Sequence, residues 1–336
     1  IRAARMAAGL LLVHACASFV GWAPGASLHT RRASSPPHAT SMGATAETVC
    51  VVGASGNVGK LVALRLSDFC TVHAVTRSPA KVKGFLDRDN IRLFESDVRS
   101  DEVAGLEDAL RDATTVVACT GTTAFPTKAW SRSGKEEVSS AVLSALVEAG
   151  FDVRKAIASL DAQGLNTPTN VDERGVRAVL AAWARAAGKK RKRFVLMSSI
   201  GVTKRDGFPF KVLNACGVLD AKAAGEAALR DAAKADGFAY TVVRPGQLFG
   251  GPYDNNYYLG TLFQLDKDAA TQDVVVAEGD SLVGDTLRST LAEVIALMVR
   301  EGAALDMDMS VVNQKGTPPT EEEMVSRLMA LSPVRA

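Results

Sequence analysis

Eleven residues, Val49 to Gly59 (V-C-V-V-G-A-S-G-N-V-G), constrain this chain more than any other stretch. A short apolar, β-branched run leads straight into three glycines spaced three apart, Gly53, Gly56 and Gly59. Lys60 to Leu66 follows, with Leu61, Val62, Leu64 and Leu66 at positions that suit a helix. The order is strand, tight turn, helix. A phosphate-binding turn of this kind needs glycine for an unusual backbone angle, for close approach of the main chain to a pyrophosphate, and for close packing of helix on strand. The helix N-terminus then offers unpaired N–H groups and the positive end of its dipole to the phosphates. Glycines at this spacing also occur in ordinary turns. The strand before and the helix after are the context that makes Gly53, Ser55, Gly56, Asn57, Val58 and Gly59 a candidate dinucleotide-binding turn.

The remainder alternates between short apolar strands and helical patterns. Thr71–Thr76 reads as a second strand, and Ser78-Pro79 as a helix start, with serine as cap and proline at the first helical position. Further strands are expected at Ile91–Glu95, Thr115–Cys119, Arg193–Met197, Tyr240–Val243 and Met307–Val312. Helices are expected near Val103–Leu110, Val171–Ala187, Ala221–Ala235 and Leu287–Val299, with a last helix opened by the capping box Thr320-Glu321-Glu322-Glu323. This alternation predicts an α/β fold, a doubly wound parallel sheet covered on both faces. The composition, 336 residues of which 47% are hydrophobic and 23% charged, suits one large soluble domain over 47–336. The net charge of +2 is too small to imply a polyanionic partner, so nucleic acid is not expected. Five cysteines (Cys16, Cys50, Cys70, Cys119, Cys216) form no C-x-x-C pair or zinc spacing, which points away from a disulfide framework or a metal site.

Three segments interrupt the pattern. Residues 1–46 contain no acid; Arg2 and Arg5 precede an apolar stretch from Met6 to Val20 that is short for a bilayer span, and a Ser/Thr/Arg/Pro-rich stretch follows Phe19–Pro24. The segment reads as a signal peptide followed by a transit-like region. It resembles the bipartite targeting sequences of algae with complex plastids; a secreted protein with a disordered N-terminus and mitochondrial import are the alternatives. No later run is long enough for a transmembrane helix. Residues 133–166 hold two short helical patterns around Gly150-Phe151 and are expected to form an inserted helical hairpin; the Gly-Phe step with Ala156 and Leu160 resembles the first two helices of a ubiquitin-associated domain, with no separate place for a third. Lys189 to Arg193 are five consecutive basic residues, expected as a solvated loop, with contact to an acidic protein, lipid or nucleic acid as the alternative.

Six motifs in register, G-A-S-G-N-V-G, V-T-R, S-D-V, C-T-G-T-T-A-F-P, S-S-I-G-V-T-K and V-V-R-P-G, resemble the atypical short-chain dehydrogenase/reductase (SDR) superfamily, and within it the plastid NAD(P)-binding and NmrA-like proteins of plants and algae. The resemblance covers Thr48 to about Leu331 apart from the insert. It implies a small C-terminal substrate region, places Asp97 and Val98 beside the adenine and Gly121 and Thr122 beside the nicotinamide ribose, and adds Thr120 and Pro245 to the cofactor-binding residues. An NAD-specific site carries an acid at the end of the second strand for the ribose hydroxyl. Here Thr76-Arg77-Ser78 stands there, with Lys81 one turn on; the fork of an arginine suits a 2′-phosphate, so NADP(H) is the expected cofactor.

The catalytic pattern departs from the resemblance. The family's proton donor is a Tyr four residues before a Lys, and none of Tyr240, Tyr253, Tyr257 and Tyr258 has a Lys in that place. In V-L-D-A-K-A-A-G-E the tyrosine position falls near Val218–Asp220, with Lys222 and Ala224 competing for the lysine. Ser198 and Ser199 stand where the family has its substrate-polarising serine, though a hydroxyl capping the loop would serve equally. Cys119 reads as a small core residue. Two functions remain open on this reading: a plastid NADP(H)-binding regulator or assembly protein, partnered by a plastid membrane or photosynthetic complex, and an NADPH-dependent oxidoreductase acting on a small carbonyl, enone or quinone with Ser199, Lys222 or a group of the substrate supplying the proton. The aromatics at Tyr253–Tyr258 would suit a pocket in the second case.

Overall fold

The structure, a computed structural model, describes residues 47–99, 104–250 and 270–331. The targeting segment and the aromatic stretch Tyr253–Tyr258 lie outside the described residues. In chain order the main elements are β1 (Thr48–Val52), α1 (Gly59–Leu66), β2 (Thr71–Thr76), β3 (Ile91–Glu95), α2 (Ala104–Leu110), β4 (Thr115–Ala118), α3 (Ser139–Glu148), α4 (Val153–Ala162) and α5 (Gly175–Ala187). They continue with β5 (Arg193–Met197), α6 (Val218–Asp236), β6 (Ala239–Pro245), β7 (Gln247–Phe249), β8 (Asp273–Glu278), β9 (Asp285–Leu287), α7 (Arg288–Glu301), β10 (Met307–Gln314) and α8 (Glu321–Met329).

Strand β1 is central because both of its faces are apolar. Side chains alternate along a strand. Val49 and Val51 therefore pack under α1 and α7 with Val62, Leu66, Leu291 and Ile295, while Cys50 and Val52 face α2, α5 and α6 with Leu106, Leu110, Trp183 and Leu229. The sheet order is β3-β2-β1-β4-β5-β6-β10-β9-β7, parallel from β3 through β10. β8 and β9 pair antiparallel with β10. This is the doubly wound α/β sheet expected from the alternation, extended at one edge by antiparallel strands that the sequence patterning had not suggested.

Two local expectations need correction. The helix expected at Ser78-Pro79 is a single 3-10 turn, Pro79–Lys81, and the Ser78 side chain makes no cap. The basic run is solvated at Lys189, Lys190 and Lys192, but its two arginines are engaged. Arg193 opens β5 as a buried residue, donating to Met298 O (2.6 Å), Ala303 O (2.6 Å) and Thr241 Oγ1 (2.7 Å), and burial lowers its pKa to about 10. Arg191 lies over the rings of Trp183 and Phe238 and pairs with Asp236 at 2.8 Å. Lys190 reaches Asp112 and Lys192 reaches Glu47.

The capping box at α8 is formed. Thr320 Oγ1 accepts from Glu323 N (3.2 Å), and the Glu323 carboxylate accepts from Thr320 N (2.8 Å), so two of the helix's otherwise unpaired donors are satisfied. Met324 and Leu328 bury the other face of this helix. Thr320→Ala is expected to lower stability by roughly 1 kcal/mol, read as a shift of the urea midpoint without a change of slope. An unmoved midpoint would show that the box contributes nothing.

Candidate cofactor site and active site

The chain leaves β1 toward β2 and β3, and leaves β4 in the other direction, toward β5 and β6. A crevice opens at the C-terminal ends of strands where the order reverses in this way. Gly53 begins the turn there with φ +85°, and both its N–H and that of Ala54 donate to Val75 O at 3.1 and 3.0 Å. A Cβ on Gly53 would stand 3.0 Å from Thr120 N, at the end of β4. A Cβ on Gly59 would overlap the Gly53 carbonyl, with the Gly53 carbonyl carbon at 2.9 Å. The first and third glycines thus have separate steric reasons: the first keeps β1 and β4 close at the mouth, and the third lets α1 start against the turn. Gly56 N closes the turn on Gly53 O at 2.9 Å and, with Ser55, lies exposed at its tip, followed by Asn57 and Val58. The first turn of α1 carries no acid. A glycine turn ending at a helix N-terminus with no acid in its first turn is the chemistry that suits a pyrophosphate.

The residues expected on the adenosine side lie at the ends of β2 and β3. Arg77 follows β2, is exposed, and donates to the carbonyl oxygen of Arg132 at 2.9 Å. Lys81 lies in the exposed turn beyond it. Asp97 follows β3 and is held by Arg99, Nη2 to Oδ2 at 2.5 Å and Nε to Oδ1 at 3.0 Å. Burial would raise its pKa, but the hydrogen bonds and charge of Arg99, with Arg77 nearby, outweigh that and hold the carboxyl below the usual range. Val98 packs against Gly175 at the start of α5.

The residues expected beside the nicotinamide come together from the β4 loop, the turn before α5, and α6. Thr169–Arg174 forms a wide π-helical turn that carries Asp172 inward to near-complete burial. Its carboxylate accepts from Thr122 N at 3.2 Å and from Lys222 Nζ at 2.6 Å. Burial raises the pKa of Asp172, while Lys222 and the Thr122 N–H oppose the rise. A Cβ on Gly121 would stand 3.5 Å from Lys222 Nζ, which puts this ammonium directly under the Thr120–Thr122 loop. Thr120, Asp172, Ser198 and Lys222 line one hollow of about 10 Å³, room for at most a single water. Of the two residues competing for the lysine position, it is thus Lys222 that faces the loop. Four residues earlier stands Val218, buried in an apolar cluster with Ile200, Val202, Phe210 and Leu219.

The remaining candidates are placed differently. Ser198 Oγ donates to the fully buried Glu226 at 2.6 Å, and Glu226 is clamped by Arg244 (Nη2 to Oε2, 2.6 Å), which also reaches Asp308 at 2.7 Å. Ser198 is therefore tied into the core. Ser199 is half-buried and donates to Ile200 O at 3.0 Å. Pro245 ends β6, and its carbonyl accepts from Ile200 N at 3.0 Å. Cys119 is buried, and burial pushes its thiol up to about 12, which leaves it inert. Tyr240 sits at the start of β6, at the opposite end of the sheet from the crevice. Among the described residues no group of His, Cys, Asp and Glu could hold a metal, and no helix is long and apolar enough to cross a membrane. Sequence reasoning missed Asp172, Arg99, Arg132 and the Glu226–Arg244 pair.

Residues 53–302 match the family described as NAD(P)H-binding. Among curated proteins no sequence match was found. Solved structures with a similar fold include a Bacillus halodurans protein assigned as an NAD-dependent epimerase/dehydratase (TM-score 0.54, 19% identity, 84% of this chain and 100% of that one). The oxidoreductase ylbE from Lactococcus lactis is similar over 84% of this chain and 96% of its own, with TM-score 0.52 and 18% identity. ChuY, an anaerobillin reductase from Escherichia coli O157:H7, is similar over 81% and 100%, with TM-score 0.51 and 17% identity. A glycine cradle at the switch point of a doubly wound sheet and a family match over most of the chain lead to one conclusion: the chain belongs to the NAD(P)H-binding family and shares the doubly wound fold of these structures.

Proposed function

We propose that the protein binds NADP(H) as a redox-responsive regulator or assembly factor, and is a poor catalyst of carbonyl reduction. The observation that carries this reading is Val218, a buried valine four residues before Lys222 where a phenol would donate the proton. A nicotinamide cofactor supplies a hydride, and the oxygen that receives negative charge then needs a positioned acid, worth on the order of 100- to 10,000-fold in rate. Lys222 is held by Asp172, and Ser198 already donates to Glu226. Ser199 has a hydroxyl to offer but no neighbouring base or cation among its hydrogen-bond partners. The preference for NADP(H) rests on Arg77, which stands where an NAD site has its acid. Residues 1–46, with their signal and transit-like composition, support a plastid location and a plastid complex as the partner.

A reductase reading keeps one specific support, the placement of Lys222 under the Thr120–Thr122 loop, where it can orient a bound ribose. Calorimetric titration with NADPH and NADH, and steady-state NADPH consumption with carbonyl, enone and quinone panels, separate the two. The expected result is clear preference for NADPH, lost in Arg77→Ala, with very slow consumption. Robust turnover abolished by Ser199→Ala or Lys222→Ala would establish the reductase instead, and equal affinities for the two nucleotides would sink the NADP assignment.

A further inference from the structure

The inserted hairpin turns an uncharged helix face to solvent. In α3, Ala145 is buried and Val142, Leu146 and Ala149 pack against the hairpin's core, while Ser140, Leu143, Ser144 and Val147 are exposed, Leu143 at 56% and Val147 at 57%. Glu148, the last residue, carries the only charge in this helix. A surface helix ordinarily carries charge on its outer side, and one that is apolar all round is ordinarily buried. Leu143 and Val147, four apart, form a row at the end of which stand Phe151 (59% exposed) and Val153 (42%). Four such half-exposed side chains present roughly 300–400 Å² of apolar surface, the size of patch that marks an interaction site. At the root of the hairpin Arg132 Nε donates to Gln163 O (3.1 Å) and Arg99 Nη1 to Gly164 O (3.0 Å), which pins its return leg in place.

The turn between the two helices holds its aromatic in an unfavourable backbone conformation. Gly150 N donates to Val147 O at 3.0 Å and Phe151 N to Leu146 O at 2.7 Å, the pair of bonds that ends a helix on a left-handed glycine, and Gly150 has φ +61°. Phe151 follows with φ +65°, which that ending does not require and which a bulky residue rarely adopts. Its ring stands outside the hairpin's core. Charge is arranged around it with opposite signs on the two sides. Glu148 ends α3 before Phe151, and Arg154 and Lys155 open α4 after it; all three are exposed, and none makes an ion pair among the described residues. Glu148 accepts only from Ser144 Oγ (2.8 Å), and the nearby Asp152 is occupied as the cap of α4, accepting from Lys155 N (3.1 Å). An apolar patch with acid on one side and base on the other is a poor match for an anionic membrane or a strongly charged partner, and a good match for itself. A two-fold axis beside Phe151 sets Glu148 of each copy against Arg154 and Lys155 of the other.

We propose that the outer face of the hairpin is a self-association surface, through which two copies of this chain form a symmetric dimer with Leu143, Val147 and Phe151 at its centre. The proposal goes beyond the NADP(H) reading and does not depend on it. A stable interface buries about 800 Å² on each partner. The patch with its charged rim is smaller, so the dimer is weak and forms in the micromolar range.

The test is sedimentation equilibrium of the full chain across a range of concentrations. Phe151→Gly is expected to weaken the dimer about tenfold to a hundredfold, the effect of losing a central aromatic anchor. The same variant should melt no lower than the wild type, because glycine takes φ +65° freely. Glu148→Arg, and Arg154→Glu combined with Lys155→Glu, are each expected to weaken the dimer about tenfold by setting like charges together. Both changes suit the dipole of the helix end they occupy, so the fold is kept. An equimolar mixture of the two charge variants should recover association, since only the mixed dimer brings opposite charges together on both sides. A wild type that stays monomeric at every concentration overturns the proposal, and flotation of that monomer with vesicles of equimolar phosphatidylcholine and phosphatidylglycerol would assign the face to a membrane instead. A dimer indifferent to Phe151→Gly, or charge variants whose mixture does not recover, overturns it as well.

Discussion

Glu226→Ala is expected to destabilise the protein by about 3–5 kcal/mol, the usual cost of removing one partner from a buried ion pair. Glu226 is fully buried and carries the hydrogen bonds of Ser198 Oγ and of Arg244 Nε and Nη2. With alanine there, the Arg244 guanidinium keeps only Asp308 on the half-exposed side of the network, where Arg230 competes for the same carboxylate at 3.0 Å. Charge left in a dry interior costs far more than the pair itself contributes. Replacing Glu226 by leucine together with Arg244→Met is therefore expected to recover much of the loss, because well-packed apolar residues often do as well as a buried pair. Urea unfolding of the single and double variants measures both. A single-variant loss below about 1 kcal/mol would mean that water or another anion compensates Arg244.

Lys222→Met is expected to make stability fall more steeply with rising pH than it does in the wild type. Asp172 is buried, and its pKa is raised by that burial even with Lys222 and the Thr122 N–H opposing the rise. Removing the ammonium removes the main opposition, so the folded-state pKa climbs further above the unfolded one. A carboxyl shifted upward is tolerated while protonated and costs stability as pH rises through its folded pKa. The variant should stand closest to wild type at about pH 4 and fall progressively behind toward about pH 8, with a limiting loss of about 3–5 kcal/mol. Thermal or urea denaturation across that range reads the effect, and Asp172→Asn in the same background should abolish the pH dependence. A gap between Lys222→Met and wild type that stays constant with pH would show that Asp172 is not the group left behind.

Local signals made most of this fold readable. The turn at Gly53–Gly59 is defined by neighbours within eleven residues, and β1, β2, β3 and β5 fall on their expected spans because each is bounded by turn residues or charge. The strands that went unread, β7, β8 and β9, are three to six residues long and owe their existence to partners distant in sequence, β8 and β9 to β10 and β7 to β9. Strand propensity reports packing against such neighbours, so short edge strands leave little trace in the chain itself. The site divides the same way. Gly53, Arg77 and Thr120 stand in motifs that are recognisable in register with one another, and Lys222 is one of two candidates for the lysine position. Asp172 announces itself only as an acid on the stripe Asp172, Val176, Val179, Trp183, where helical spacing calls for an apolar residue; that signal was present and passed over. Arg132 and Glu226 carry no such mark, since their roles come from contacts 31 and 18 residues away.

The hairpin has a core of its own. Trp130, Val138, Ala145, Ala156, Leu160 and Leu165 form a cluster separate from those on either face of the sheet. Its return leg is stitched to the β4 loop by Asn166, whose N–H donates to Trp130 O at 2.7 Å and whose carbonyl accepts from Thr122 Oγ1 at 2.9 Å. An element with a private core opens as its own cooperative unit, at a free energy below that of global unfolding. Such a chain carries two stabilities, and a melting curve followed by a probe in the sheet reports only the larger of them.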